Sequence, residues 1–266
     1  MASKPEDSAL ARVAVLVREL RSSYDPPAFA HVPGPDAAIF LSAVDHKTGY
    51  ENPHSVDGRG PFEGSELMWE LGLGRPEALD AASLSGVERE EVGEWFRVED
   101  ETIADPERRA ALWRDLAAGL LRSYEGSAAS LLEASAGRLA GPQGLLERLA
   151  EFEAYSDPIA KKSFLFAKIC ARRGWLEVRD PESWEVCADN VLMRLALRSG
   201  LVPEGPREEV RAATREAFRE IAEVSGIPAQ VLDDMLWELG RDDPDLLGAA
   251  AGDLRDPDRD PESAWY

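Results

Sequence analysis

Cysteine is scarce, lysine nearly so, and no apolar run is long enough to cross a bilayer. The two cysteines, Cys170 and Cys187, form no Cys-x-x-Cys pair and have no His/Cys cluster around them. That argues against a zinc or iron–sulfur framework and leaves two buried thiols as the expectation. The N-terminal apolar stretch is interrupted by Arg12 and Arg18, so neither a signal peptide nor a membrane span is expected, and the chain reads as cytoplasmic. Gly-rich phosphate loops, Ser–His–Asp arrangements and runs of alternating β-branched residues are missing as well. His46 and His54 flank an irregular stretch without further ligands at metal spacing; no metal and no cofactor are expected, and general-base or phosphate-contact roles stay open for them.

Positive charge is also short. The chain carries 30 basic and 51 acidic residues, a net charge of −21. Such a balance weighs against tight, non-specific binding to DNA. It still permits a local basic patch, and solubility in a crowded cytoplasm explains it equally well. The lysines are Lys4, Lys47, Lys161, Lys162 and Lys168, so three fall within one segment.

What is present is helical periodicity. With 266 residues, 44% of them hydrophobic, the chain can bury a sizeable core as one large domain or two small ones. Period 3.6 predicts a first helix over 8–22 with Leu10, Val13, Leu16, Val17 and Leu20 on one face, and a short apolar helix over 37–44. Residues 50–62 read as a long irregular stretch, of the kind that often carries function. Helices are then expected over 63–73, 87–98, 105–124, 128–139, 145–152, 160–174, 189–200, 207–225 and 229–240. The expected organisation is one all-α domain over 1–240, with a division into two helical lobes around a cleft as the alternative. Residues 241–266 repeat Asp-Pro and are expected to form an acidic, disordered tail.

Three of these helices carry chemistry. Breaking an N-glycosidic bond puts positive charge on the sugar, and a carboxylate near the anomeric carbon stabilises that charge and orients water. Asp189, opening the helix after Val186-Cys187-Ala188, suits that role; a plain N-cap is the alternative. Lys161 and Lys162 begin another helix, where the dipole disfavours cations. Burial or neighbouring charge would make either a reactive amine; phosphate binding and simple solvation are the other readings. Phe166 and Trp237 suit stacking on a base, and Asp233, one turn before Trp237, suits a hydrogen bond to its edge. A core aromatic and a surface acid are the plain alternatives.

The stretch from AKKSFLF to LWELGR resembles the archaeal 8-oxoguanine DNA glycosylase family, within the helix-hairpin-helix glycosylase superfamily. That resemblance implies a catalytic pair at Lys162 and Asp189, base-gripping aromatics at Phe166 and Trp237, and a base-contacting carboxylate at Asp233. The middle of the chain resembles the queuosine salvage family, whose members release queuine from queuosine 5′-phosphate on the same fold. This likeness runs through FLSAVDHKT, GVEREEVGEWFR, ERRAALW…LLRSYEGS and FEAYSDP to KKSFLF. It implies a catalytic Asp189 again and a substrate-proximal carboxylate at Asp45.

Two departures matter. His46-Lys47-Thr48 replaces the aromatic- and Asn-rich sequence of the salvage family. The stretch Tyr155-Ser156-Asp157-Pro158-Ile159, where the DNA glycosylases carry a Gly-containing phosphate-binding hairpin, has no Gly, an acid and a Pro. The expectation is therefore an all-α protein of the helix-hairpin-helix glycosylase type, hydrolysing a modified purine or 7-deazapurine from a small nucleoside or 5′-nucleotide. Asp189 and Lys162 would be catalytic, with Phe166, Trp237, Asp233, Asp45, Lys161 and His46 around the substrate. The alternatives are an 8-oxoguanine DNA glycosylase with lyase activity, acting on DNA, and a nucleotide-binding module without catalysis. No membrane partner is expected.

Overall fold

The structure, a computed structural model, describes residues 5–249, with only the backbone described for 5–8. It is mostly helical: 12 α-helices and two very small hairpins among the described residues. The chain divides into two compact units. Among the described residues, a terminal unit joins the N-terminal segment up to Pro27 to the chain from Glu182 to 249; a middle unit spans Ala28–Pro181.

The terminal unit is built on α1 (Pro5–Arg21), α10 (Asn190–Arg198), α11 (Arg207–Ser225) and α12 (Ala229–Asp242). Its core takes Val13 and Val17 from α1, Leu192 and Leu195 from α10, Phe218 and Ile221 from α11, and Leu232, Met235 and Leu236 from α12. Each set recurs at three- and four-residue steps, the spacing that puts side chains on one helical face. Helices α10 and α12 approach closely because Gly240 has no Cβ; one there would sit 2.5 Å from Leu195 Cδ1. The expected tail begins too early. α12 continues through Asp242, and Leu247 is buried in this core with its carbonyl accepting from Arg12 Nη1 at 2.7 Å. The remainder of the tail, with Trp265 and Tyr266, lies outside the described residues.

The middle unit surrounds α2 (Pro35–Ala43), in which every residue from Ala37 to Ala43 is buried. A helix apolar on all sides has no face for solvent and must take the centre. Around it come α3 (Gly64–Gly72), α4 (Ala81–Leu84), α5 (Arg89–Trp95), α6 (Pro106–Ser123), α7 (Ala128–Ala134), α8 (Leu145–Leu149) and α9 (Lys161–Arg172). Two buried donors fasten α2 through its carbonyls: Trp113 Nε1 to Phe40 O at 2.7 Å, and the Tyr155 hydroxyl to Ile39 O.

The stretch read as irregular contains a hairpin, β1 (His54–Val56) and β2 (Arg59–Phe62), with Val56 paired to Arg59 across Asp57-Gly58. Both turn residues have positive φ, 51° and 74°, as a two-residue type I′ turn requires; Asp-Gly is its strongest sequence signal. The second hairpin is β3 (Arg97–Val98) with β4 (Glu101–Thr102). No described helix is long and apolar enough to cross a membrane. Cys170 and Cys187 are free and buried.

Candidate functional site

Lys162 is the second residue of α9 and shares a face with Phe166 and Ile169, four and seven residues on. That face points inward, so the lysine goes with it: Lys162 is 1% exposed. Its Nζ donates to Ala43 O at 2.6 Å, at the carbonyl end of α2 where backbone acceptors lack intrahelical partners. It also lies 3.1 Å from His46 Nδ1. The opposite ring nitrogen, Nε2, accepts from Arg109 Nη1 at 3.1 Å. Arg109, with no exposed surface, donates further to Ala104 O at 2.8 Å and His46 O at 2.5 Å.

This places an amine, an imidazole and a guanidinium side by side away from water. Burial pushes the Lys162 amine down to about 7; Arg109 adds to the fall, and the carboxylates Asp45 and Asp157 oppose it. Burial, then Lys162 and Arg109, hold His46 well below the ordinary imidazole value. Arg109 is itself lowered to about 10, chiefly by burial. Asp45 is fixed from α3: it accepts from Ser65 Oγ at 2.8 and 2.9 Å and from Trp69 Nε1 at 2.9 Å.

The turn before α9 is organised by Asp157. Its Oδ1 accepts from Ile159 N at 3.1 Å and Lys161 N at 3.0 Å, and its carbonyl accepts from Ala160 N at 3.1 Å. Pro158 has no N–H, so the backbone donors from 158 to 161 are all consumed within the turn. The same bonds hold Ala160 at φ 53°, in the left-handed region.

In the terminal unit, Asp189 is the N-cap of α10. Its Oδ1 accepts from Val191 N at 2.9 Å and Leu192 N at 3.1 Å, and the residue is 5% exposed. Asp233, also 5% exposed, accepts from Cys187 N at 2.7 Å, while Cys187 O accepts from Asp189 N at 2.7 Å. The Asp233 carboxylate and the Asp189 backbone N–H are therefore tied to one short turn. Trp237 is half-buried against the core of this unit, with the Arg241 guanidinium 5.5 Å from its ring centroid.

The expected site residues fall in both units. Lys161, Lys162, Phe166, Asp45 and His46 belong to the middle unit, and Asp189, Asp233 and Trp237 to the terminal unit. Three expectations change. Phe166 has no exposed surface and offers no ring face for stacking, because it lies on the same inward stripe as Lys162. His46 has both ring nitrogens engaged by protein groups and contacts Lys162 and Arg109 instead of offering a nitrogen to substrate. Asp233 is a buried carboxylate fastening the Cys187 turn, neither a surface acid nor an open hydrogen-bond acceptor on Oδ1. Arg109 was missed, yet its signal is in the sequence. It sits on the apolar stripe of α6 with Trp113, Leu116 and Leu120, and a cation at a core position needs an internal partner. No group of three or more His, Cys, Asp or Glu among the described residues is arranged to hold a metal ion. No protein-family model and no curated protein matches this chain.

Proposed function

We propose that the protein is an N-glycosidase of the helix-hairpin-helix glycosylase type, hydrolysing a modified purine or 7-deazapurine from a small nucleoside or 5′-nucleotide. The observation that carries this reading is the buried Lys162 amine, lowered to about 7 beside His46 and Arg109. An amine with that value exchanges a proton readily at neutral pH, as acid–base catalysis needs. In this reading Asp189 stabilises the oxocarbenium-like sugar. The reading requires substrate binding to open a path to the Lys162 amine, which is 1% exposed: water attacks C1′ as the C1′–N bond breaks, its proton passes to Lys162 and from there to the departing base nitrogen, returning Lys162 to the amine. Trp237 stacks the base, Lys161 contacts the phosphate or ribose, and Asp45 and Asp233 hold their surroundings in shape. The likeness of FLSAVDHKT and FEAYSDP to the queuosine salvage family supports the same substrate class. A small substrate is favoured over duplex DNA because the turn before α9 spends its N–H groups on Asp157, leaving none for a phosphate, and because the net charge is −21.

The test is incubation with a panel of modified nucleosides, their 5′-phosphates and lesion-bearing duplexes, with mass detection of released base. Release from the small substrates supports the reading; release from duplex alone overturns it. One observation favours a second reading, a DNA glycosylase with lyase activity: an amine uncharged near neutrality is also what Schiff-base formation requires. Borohydride trapping of a covalent adduct with damaged DNA, lost in Lys162→Ala, would establish that alternative.

A further inference from the structure

A guanidinium nitrogen can only donate. Arg109 Nη1 lies 3.1 Å from His46 Nε2, so Nε2 is the accepting nitrogen of the ring. A neutral imidazole then carries its proton on Nδ1, and Nδ1 is the nitrogen 3.1 Å from Lys162 Nζ. A lone pair must receive that N–H, and Lys162 has one only as the uncharged amine, which still donates to Ala43 O. We infer that His46 is a positioning residue: its Nδ1–H holds Lys162 in the amine form, and Arg109 sets the tautomer from the far side of the ring.

The inference rests on the reading of Lys162 as the proton-transferring amine, and it adds a reason for the proton to move on. When Lys162 takes a proton from the attacking water, Nδ1–H faces an ammonium N–H. The contact turns repulsive, and the departing base nitrogen becomes the better proton acceptor. The charged neighbours act on both sides. Asp45, following α2, and Asp157, before α9, favour the ammonium. Arg109 of α6 and Lys161 of α9 oppose it, and they oppose protonation of His46 together with Arg108 of α6. Burial of the ring keeps His46 neutral, which the tautomer argument requires.

The test is nuclear magnetic resonance on the full chain carrying 15N-histidine and 13C,15N-lysine. Three histidines and five lysines make assignment by single substitution practicable. In the unsubstituted protein His46 is expected as the neutral Nδ1–H tautomer, with Lys162 titrating near 7. Asparagine's carboxamide places an N–H close to the position of Nδ1, so His46→Asn is expected to keep the low Lys162 midpoint. His46→Ala is expected to raise it by about one unit, roughly a fivefold loss of amine at pH 7. Where base is released, the acidic limb of the kcat profile should move up with it. An Nε2–H tautomer, or a Lys162 midpoint unchanged in His46→Ala, overturns the inference. Should His46→Ala not fold, the tautomer and the His46→Asn titration decide. Failure of the glycosidase reading shows separately, as no base released from any substrate in the panel while the spectra stand.

Discussion

Asp189 and Lys162 are both almost wholly buried ionisable groups at helix starts, and their units treat them in opposite ways. In the terminal unit the carboxylate sits where the helix dipole favours negative charge, accepting two backbone N–H bonds. In the middle unit an amine sits where the dipole disfavours it, among a second cation and an imidazole. The first arrangement gives the buried group two backbone donors. The second makes a charge expensive enough that the proton becomes mobile. A buried polar group is therefore a functional candidate less for being buried than for what surrounds it.

The largest expected effect separates cap from catalysis at Asp189. Asparagine keeps an oxygen for the α10 cap, so Asp189→Asn should leave the melting temperature nearly unchanged while base release falls about a thousandfold. Retention of most activity would reduce Asp189 to a cap.

The next concerns Lys162, through stability. Its amine falls from an ordinary value of 10.5 to about 7 in the folded protein. Between those values the unfolded chain binds the proton and the folded one does not, so stability rises with pH across that window and falls as pH drops towards 7. The amplitude is on the order of a few kcal/mol. Lowering of His46 acts with the same sign below its ordinary value of 6.5. Urea denaturation at a series of pH values should show the slope above pH 7 in the unsubstituted protein and its loss in Lys162→Met. An identical slope in both would mean that the amine remains charged.

Smaller effects test the turns. Asp233→Ala leaves the buried Cys187 N–H without its acceptor and should cost about 1–3 kcal/mol, read by denaturation of the terminal unit. Asp157→Ala frees the Ile159 and Lys161 N–H groups and should cost about 1 kcal/mol. If those donors are what a phosphate lacks, duplex binding should tighten in Asp157→Ala; unchanged binding would remove the turn from the argument against DNA.

Much of the helical layout was legible because apolar residues recur every three or four positions. The segments read over 207–225 and 229–240 correspond to α11 and α12, apart from two further residues at the end of the latter. The hairpin at Asp57-Gly58 was readable and went unread: four- and three-residue strands carry little alternation, but the turn pair is diagnostic. Phe166 was misread for a different reason. Residue type suits stacking, while helical phase puts it on the inward stripe, and phase decides burial. Arg109 went unnoticed because a basic residue in a helix ordinarily reads as solvated.

The sequence by itself determined that this chain is mostly helical, and it marked Asp189 as a helix start, since period and N-cap chemistry act over a few residues. Only the tertiary structure decided what Lys162 is. Its hydrogen-bond partner His46 is 116 residues away in the chain, and the guanidinium that fixes that ring is 63 residues from it. The state of a buried proton depends on desolvation and on neighbours that folding alone brings within a few ångströms.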